Sequence, residues 1–269
     1  MPIDDNTQYR ALFCSAGGSD TTSATMAWWT LAMVAYPETQ ARAHAELDAI
    51  VGRARLPTFA DYPRLPYIRA MVKEALRWRP AGPLGVPHRS TEDDWYEGMF
   101  IPKGTICLAN LWHMNRDPEI FHKNADHFDP TQYLDVSEDN APGSSYIKEQ
   151  GHFSFGFGRR SCVARHMANN SLFIDFAVML WANKLERKKD ASGLFLPLDV
   201  DGWVDVGLVA SADFITYCDV NANGWVSADV RSRSNSRLLR AFERQLGCLH
   251  RNVSCGVYDH RGRMQGREK

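Results

Sequence analysis

The chain contains 269 residues, 44% hydrophobic and 23% charged, a composition typical of globular proteins that excludes collagen-like and wholly disordered chains. Its 31 basic and 32 acidic residues nearly cancel, so bulk charge does not favour nucleic-acid binding and we expect no nucleic-acid partner. Six cysteines without a Cys-x-x-Cys pair are too few for a disulfide scaffold and indicate a reducing compartment.

Hydrophobic periodicity predicts three helices in the first third of the chain. Residues 9–36 form a long helix interrupted at residues 17–22, a run of poor helix formers that indicates a functional site or a break between two helices. A second helix follows at residues 37–51. The third, at residues 67–79, is strongly amphipathic and is stopped by Pro80.

The middle of the chain favours short strands, turns and one loop that leads into a helix. Residues 81–110 contain short β-type runs between Gly and Pro residues, and we expect a short helix at residues 118–121. An irregular polar stretch at residues 126–150 precedes the loop FSFGFGRRSC, residues 153–162, and a further helix follows this loop. Residues 194–209 contain strand-like pieces.

Beyond Ala210 the periodicity fades, so we expect a folded domain at residues 1–210 and an unrelated, disordered tail at residues 211–269. The nine arginines of the tail are more typical of solvated charge than of nonspecific nucleic-acid binding. The tail also offers a competing metal site whose spacing fits no common zinc pattern. Its residues are Cys248, His250, Cys255 and His260.

Cys162 has the strongest local context for chemistry. It lies where a Gly- and Phe-rich loop becomes a helix, and there the helix dipole and free backbone N–H groups favour a thiolate. Arg159 and Arg160 add positive charge nearby, while Gly156 and Gly158 allow a tight turn and the close approach of a flat partner. The alternative is that Cys162 is only a small buried side chain beside a loop. This alternative does not explain why two spaced glycines and an arginine pair lie so close to it.

This loop resembles the haem-binding loop of the cytochrome P450 family, in which two spaced glycines and an Arg precede an iron-ligating Cys. The resemblance implies that Cys162 is the axial metal ligand and that the loop holds the haem. Ala164 departs from the family pattern, which usually has Gly there. The matched cofactor-binding residues are Phe155, Gly156, Gly158, Arg160 and Cys162.

Glu74 and Arg77, three residues apart on one helix face, would by themselves predict a surface ion pair. They resemble the Glu-x-x-Arg signature of the family, and this implies a buried structural pair that locks the helix to the loop before the haem. A third member, usually Arg, is expected within FDPTQYL. This chain has Gln132 there, which supplies a hydrogen bond but no charge.

Residues 17–22, GGSDTT, resemble the oxygen-activation motif of the family. The resemblance implies that Gly17 leaves room for dioxygen beside the substrate pocket, and that Asp20 and Thr21 are catalytic residues that relay protons. It also implies that His88 contacts a haem propionate. The remaining residues that it places in the substrate pocket are Pro83, Leu84, Gly85 and Val86.

The resemblance covers residues 8–208 and corresponds to the C-terminal half of the family's fold. It implies a mainly α fold with minor β, a truncated cytochrome P450 fold, with haem as cofactor. The implied activity is a monooxygenase that inserts one atom of O2 into a small organic substrate, with electrons from an NADPH-dependent reductase. The texture of the sequence is closest to eukaryotic, particularly fungal, members.

The same resemblance is compatible with an alternative function, and it does not determine where the protein is located in the cell. The alternative is a catalytically inactive truncated fragment that retains haem-binding motifs only. Full-length relatives are anchored to the endoplasmic reticulum membrane, whereas we expect neither an anchor nor a signal here. With half of the fold absent, we also expect apolar residues of the helix at residues 9–36 to be exposed.

Overall fold

The structure is a computed structural model. Only the backbone is described before residue 17 and in the three strands nearest the C-terminus. The chain divides into two units, residues 1–222 and 223–269, and everything described belongs to the first. The described residues are 5–121, 125–134, 150–187, 192–201, 203–205, 209–211 and 218–221.

Helices account for most of the regular secondary structure among the described residues. Three 3₁₀ turns, Phe59–Arg64, Pro130–Tyr133 and Gly158–Arg160, lie between them in the chain. Among the described residues, no helix combines the length and the apolarity that crossing a membrane requires. The described α-helices are α1 (Asp5–Ala35), α2 (Pro37–Ile50), α3 (Pro66–Trp78), α4 (Leu111–Met114) and α5 (Arg165–Ala182).

The strands are short and form antiparallel pairs. The mainly α prediction with minor β is therefore confirmed. The pairs are β1 (His88–Arg89) with β4 (Ile106–Cys107), β2 (Asp94–Tyr96) with β3 (Met99–Ile101), β5 (Lys184–Arg187) with β8 (Cys218–Asn221), and β6 (Trp203–Asp205) with β7 (Val209–Ser211).

Helix α1 runs without a break through residues 17–22, so these poor helix formers do not separate two helices. The described C-terminal half of α1 is buried: Trp28 and Trp29 are 2% and 0% exposed, and Trp29 stacks on Phe176 of α5 with ring centroids 4.1 Å apart. The expectation that apolar residues of this helix are exposed is therefore wrong for its second half, because α3 and α5 pack against it. The side chains before residue 17 lie outside the described residues.

Two polar side chains, the buried Gln40 and the partly buried Glu46, join neighbouring elements of the core. Glu46 of α2 accepts hydrogen bonds from the backbone N–H groups of Tyr67 and Ile68, at 2.8 and 3.1 Å, in the first turn of α3. Those N–H groups have no partner within their own helix, so the carboxylate stabilises the start of α3. Gln40 binds both backbone polar groups of Leu185, its Nε2 donating to O at 2.9 Å and its Oε1 accepting from N at 2.6 Å.

The prediction of a helix at residues 118–121 is wrong. The short helix lies earlier, at α4, where the Oδ1 of Asn110 accepts a hydrogen bond from His113 N at 3.1 Å and caps the helix. At the predicted position the chain forms turns, among which Phe121 N donates to Asp117 O at 2.8 Å. Pro118 is favourable at the start of a helix, but this local preference does not by itself produce one.

Strand β8 lies inside the segment that we expected to be disordered, and its residue Val220 pairs with Leu185 of β5. The predicted boundary at residue 210 therefore differs from the division at residue 222. Residues 222–269 lie outside the described residues, so the disorder expected there stays a prediction.

We predict that Phe176→Ala lowers the free energy of unfolding by ~3–5 kcal/mol, because it empties a fully buried site under the Trp29 ring. The matched control is Phe59→Ala, at a ring that is 56% exposed. We expect its effect to stay near ~0.5 kcal/mol. Urea unfolding of both variants measures the difference, and equal losses would contradict the packing described above.

Candidate functional site

The buried ion pair of Glu74 and Arg77 lies at the centre of the candidate site. Both side chains are 0% exposed, and Arg77 donates two parallel hydrogen bonds to the carboxylate, Nε to Oε2 at 2.7 Å and Nη2 to Oε1 at 2.8 Å. Its other N–H groups donate to the carbonyl oxygens of Asn115 and Ala125, both at 2.8 Å, and of His127 at 3.2 Å. All five guanidinium donors therefore have an acceptor.

Glu74 accepts three further hydrogen bonds from the segment that follows Phe128. The donors are the backbone N–H of Asp129 at 2.8 Å, the Nε2 of Gln132 at 2.8 Å, and the hydroxyl of Tyr133 at 3.3 Å. Gln132 thus occupies the position expected for the third member and contributes a hydrogen bond without charge. Burial disfavours a charged guanidinium, but the adjacent Glu74 carboxylate outweighs burial and raises the pKa of Arg77.

Tyr133 connects this pair to the chain that enters the Cys162 loop. Its hydroxyl lies 3.0 Å from the carbonyl oxygen of Gly151, in addition to its contact with Glu74. Gly151 has φ 75°, and a Cβ atom there would lie 2.8 Å from Cε1 of the Tyr133 ring. Only glycine fits this close approach. Burial, and then the Glu74 charge, raise the pKa of Tyr133, so its hydroxyl stays protonated and able to donate.

The loop at residues 153–162 is tied to α3 by two side chains that sequence reasoning missed. Asn115 accepts a hydrogen bond from Phe153 N at 2.8 Å through Oδ1, and its Nδ2 donates to the hydroxyl of Ser154 at 3.0 Å. The same hydroxyl donates to Leu76 O of α3 at 2.6 Å. Neither residue carries a recognisable motif, because its importance arises only from partners 38 or more residues away.

Cys162 follows the 3₁₀ turn of the loop and lies two residues before Ala164, the N-cap of α5. Its backbone N–H donates to Phe155 O at 2.8 Å, and the Phe155 ring packs against the main core. The cysteine is partly buried and has no disulfide partner. A single thiol is therefore held at the start of a helix, close to its positive end.

The surface around Cys162 fits a flat, largely apolar group that carries a metal. A Cβ atom built on Gly156 or Gly158, with φ 71° and 55°, would meet no other atom within 4 Å. Val163 and Met167, which follow Cys162 in the chain, expose 86% and 68% of their surface. A thiolate is a suitable soft ligand for iron, and exposed apolar groups are stabilised when a ligand covers them. The residues present therefore fit a haem.

Two residues expected to bind the cofactor, Arg160 and His88, are both exposed. Arg160 ends the 3₁₀ turn of the loop, and His88 lies in β1 opposite Cys107 of β4. Exposure leaves both side chains accessible to the carboxylates of a ligand.

The segment before His88 is anchored to α4 and presents apolar side chains outward. Pro83 O accepts a hydrogen bond from Trp112 N at 2.9 Å, and Gly85, with φ 62°, packs against Leu111. Leu84 and Val86 are 53% and 75% exposed. An apolar substrate could therefore contact these two side chains.

The remaining predicted residues lie on α1. Gly17 and Asp20 are exposed, and Thr21 is partly buried with its hydroxyl donating to Gly17 O at 2.6 Å. A Cβ atom on Gly17 would meet no atom within 4 Å, so its surroundings are open. The described contacts of Asp20 and Thr21 do not reach the loop at residues 153–162.

His152 is a buried residue of the site that sequence reasoning also missed. It is 1% exposed, its Nδ1 accepts a hydrogen bond from Ser154 N at 3.1 Å, and its ring packs edge-on against Phe155. Burial, and then the charges of Lys73 and Arg77, lower its pKa to about 3, so the imidazole is neutral in the folded protein.

The competing metal site in the tail lies outside the described residues. Among the residues that the structure does describe, no group of three or more His, Cys, Asp or Glu side chains could hold a metal ion. A single thiolate that ligates the iron of a haem does not require such a group, because the macrocycle supplies the other ligands.

Sequence similarity relates the chain to one protein family. The family model described as Cytochrome P450 matches residues 3–193. A cytochrome P450 monooxygenase of Armillaria gallica is 64% identical over 194 residues, 72% of this chain and 37% of that protein. Another, of Postia placenta, is 52% identical over 193 residues, 71% of this chain and 36% of that protein. The chain thus spans little more than a third of the length of these relatives.

Solved structures show the same relationship. A zebrafish cytochrome P450 with abiraterone superposes with a TM-score of 0.62 at 28% identity, covering 76% of this chain and 44% of that one. A second zebrafish structure, with progesterone, gives the same TM-score at 29% identity. The prediction of a fungal texture is confirmed by the curated relatives.

We predict that Glu74→Gln lowers the free energy of unfolding by ~3–5 kcal/mol, because it leaves the buried Arg77 charge without a counterion. The control is the same substitution in a solvent-accessible ion pair, Glu186→Gln, in which the side chains of Lys184 and Glu186 are 46% and 36% exposed. The control should cost only ~0–1 kcal/mol. Chemical denaturation compares the two, and a Glu74→Gln loss no larger than that of the control would refute the structural importance of the pair.

We predict that His152 makes the protein less stable in mild acid. Its folded pKa of about 3 lies below the ordinary value of 6.5, so the unfolded chain binds a proton first as the pH falls. Between pH 7 and pH 5 this difference removes about 2 kcal/mol from the free energy of unfolding. His152→Gln should remove that part of the pH dependence, and parallel stability curves for the two proteins would contradict the prediction.

Proposed function

Because this chain belongs to the cytochrome P450 family, we propose that it is part of a haem-dependent monooxygenase. The reaction would insert one atom of O2 into a small organic substrate, with electrons supplied by an NADPH-dependent reductase. The observation that carries the proposal is the thiol of Cys162, at the start of a helix, in a loop that is bound to the buried Glu74–Arg77 pair through Asn115. A ligand held this firmly can stay in place through a reaction cycle.

Haem would be held by the loop at residues 153–162. The Cys162 sulfur would ligate the iron, Gly156 and Gly158 would leave space for the ring, and Arg160 and His88 would bind its carboxylates. Bound haem supplies dioxygen binding and O–O cleavage, which a thiolate ligand favours by donating electron density. The exposed side chains of Val163 and Met167 would exclude water once the ring covers them.

Asp20 and Thr21 would deliver the protons that the reaction consumes. The hydroxyl of Thr21 already holds its proton in a defined direction, toward Gly17 O at 2.6 Å. Asp20 is exposed, so its carboxyl group is in contact with solvent. Thr21 and its neighbour Asp20, both on α1, would thus connect the reacting oxygen to water.

The substrate would contact the segment Pro83–Val86 and the open space beside Gly17. The exposed apolar side chains of Leu84 and Val86 favour an organic molecule with apolar surface. The hydrogen bond from Trp112 N to Pro83 O holds this segment in position.

We predict that Cys162→Ser abolishes the thiolate-type red-shifted band of the reduced carbon monoxide adduct, after the full chain has been loaded with haem. The control is Cys107→Ser, which removes an exposed free cysteine on β4 and should leave the spectrum unchanged. Persistence of the band in Cys162→Ser would show that another residue ligates the iron.

A product assay with a reductase and NADPH separates the proposal from its alternative. Formation of an oxygenated product by the wild-type chain, and its loss in Cys162→Ser, would support the monooxygenase. Thiolate-ligated haem without turnover is the result that a catalytically inactive fragment predicts.

A further inference from the structure

Asn115 is a buried amide that lies between the Glu74–Arg77 pair and the Cys162 loop. It is 0% exposed and directly follows α4, where its backbone N–H donates to Leu111 O at 3.0 Å. Its backbone oxygen accepts the 2.8 Å hydrogen bond from Nη1 of Arg77. The main chain of Asn115 is therefore fixed from two sides, by α4 and by the buried guanidinium.

The side chain of Asn115 uses both of its polar atoms on the loop. Oδ1 accepts from the N–H of Phe153 at 2.8 Å, and Nδ2 donates to the hydroxyl of Ser154 at 3.0 Å. Ser154 in turn donates to Leu76 O at 2.6 Å. Leu76 lies in the last turn of α3, where carbonyl groups lack a partner within the helix, so this hydrogen bond satisfies a group that would otherwise be buried unpaired.

The contacts made by Asn115 extend to Cys162 through the loop itself. Phe153 O accepts a hydrogen bond from Gly156 N at 3.0 Å, and this closes the first turn of the loop. Phe155 O accepts the N–H of Cys162 at 2.8 Å. The Phe153 ring also packs edge-on against Phe121, with centroids 6.4 Å apart. A shift at residues 153 and 154 therefore moves the backbone that holds Cys162.

We propose that Asn115 is the positioning residue that sets the place of the Cys162 thiol relative to α3. The consequence of this role for haem ligation rests on the proposed function. The mechanical role, which is to hold the loop against α3, does not. Asn115 transmits the fixed position of the ion pair to the loop, because its main chain is bound by Arg77 and its side chain by Phe153 and Ser154.

The position requires an amide. An amide supplies one acceptor for Phe153 N–H and one donor for the Ser154 hydroxyl, whose own hydrogen is already directed to Leu76 O. An aspartate keeps the acceptor and lacks the donor, and an alanine lacks both. Each loss leaves a buried polar group without a partner, which is costlier than the gain from one hydrogen bond.

Hydrogen exchange of the chain without haem tests the mechanical role. Asn115→Ala should speed exchange at the amide of Phe153 by about tenfold or more, because that N–H loses its acceptor. Asn115→Asp keeps this acceptor, so it should leave Phe153 protected. It also provides a second variant if Asn115→Ala does not fold. Ser154→Ala should resemble Asn115→Asp in leaving Phe153 N–H bonded to Asn115.

The matched control is Gln40→Ala, which also removes a buried amide with two backbone hydrogen bonds. It should speed exchange at Leu185 and leave Phe153 unchanged. Equal exchange at Phe153 in wild type and Asn115→Ala, or an equal increase in Gln40→Ala, would overturn the proposal.

The spectrum of the haem-loaded chain tests the catalytic meaning. Asn115→Ala should convert part of the reduced carbon monoxide adduct from the thiolate-type band to a band without thiolate ligation, whereas Gln40→Ala should not. An unchanged spectrum in Asn115→Ala would refute the link to the ligand. A wild-type chain without the thiolate-type band would refute the proposed function instead, and the exchange experiment would still decide the role of Asn115.

Discussion

The architecture of the site depends on one constraint, the burial of a full positive and a full negative charge at Arg77 and Glu74. Burying two charges is costly unless their remaining donors and acceptors find partners. Three hydrogen bonds from Arg77 to backbone carbonyl groups and three further ones to Glu74 meet that requirement. Their partners come from the chain near residue 115 and from residues 125–133. These two segments have few backbone hydrogen bonds of a helix or sheet, so their contacts with the ion pair determine where they lie.

The loop that carries Cys162 acquires its position from this arrangement. Asn115 and Ser154 attach the first residues of the loop to the end of α3, and the glycine at position 151 lets the preceding chain lie against the ring of Tyr133. Beyond these attachments the loop opens, with glycines that face free space and apolar side chains that remain exposed. One end of the loop is rigid and the other is accessible, as a site for a large planar ligand requires.

The segment GGSDTT, for which we propose proton delivery, has a different structural basis. GGSDTT sits within α1 without breaking it, although each glycine is unfavourable in a helix by ~1 kcal/mol. The helix tolerates this cost because its following turns bury Trp28 and Trp29 in the core. Structural stability therefore comes from one half of α1, which leaves the other half available for small and polar residues suited to chemistry.

The sequence by itself determined the family, the helices with strong periodicity and the residues with motifs, Cys162, Glu74 and Arg77 among them. These features are local, since spacing along a helix and glycines in a loop can be read within about ten residues. Only the tertiary structure decided that the Tyr133 hydroxyl reaches Glu74, that α4 precedes residue 118, and that Asn115 joins the ion pair to the loop. Each of these depends on contacts between distant parts of the chain. The sequence does not reveal the partners of a lone Asn or Gln, because its amide has the same donors and acceptor in a loop and in a core. Burial makes those groups important, since an unpaired polar group in the core is costly.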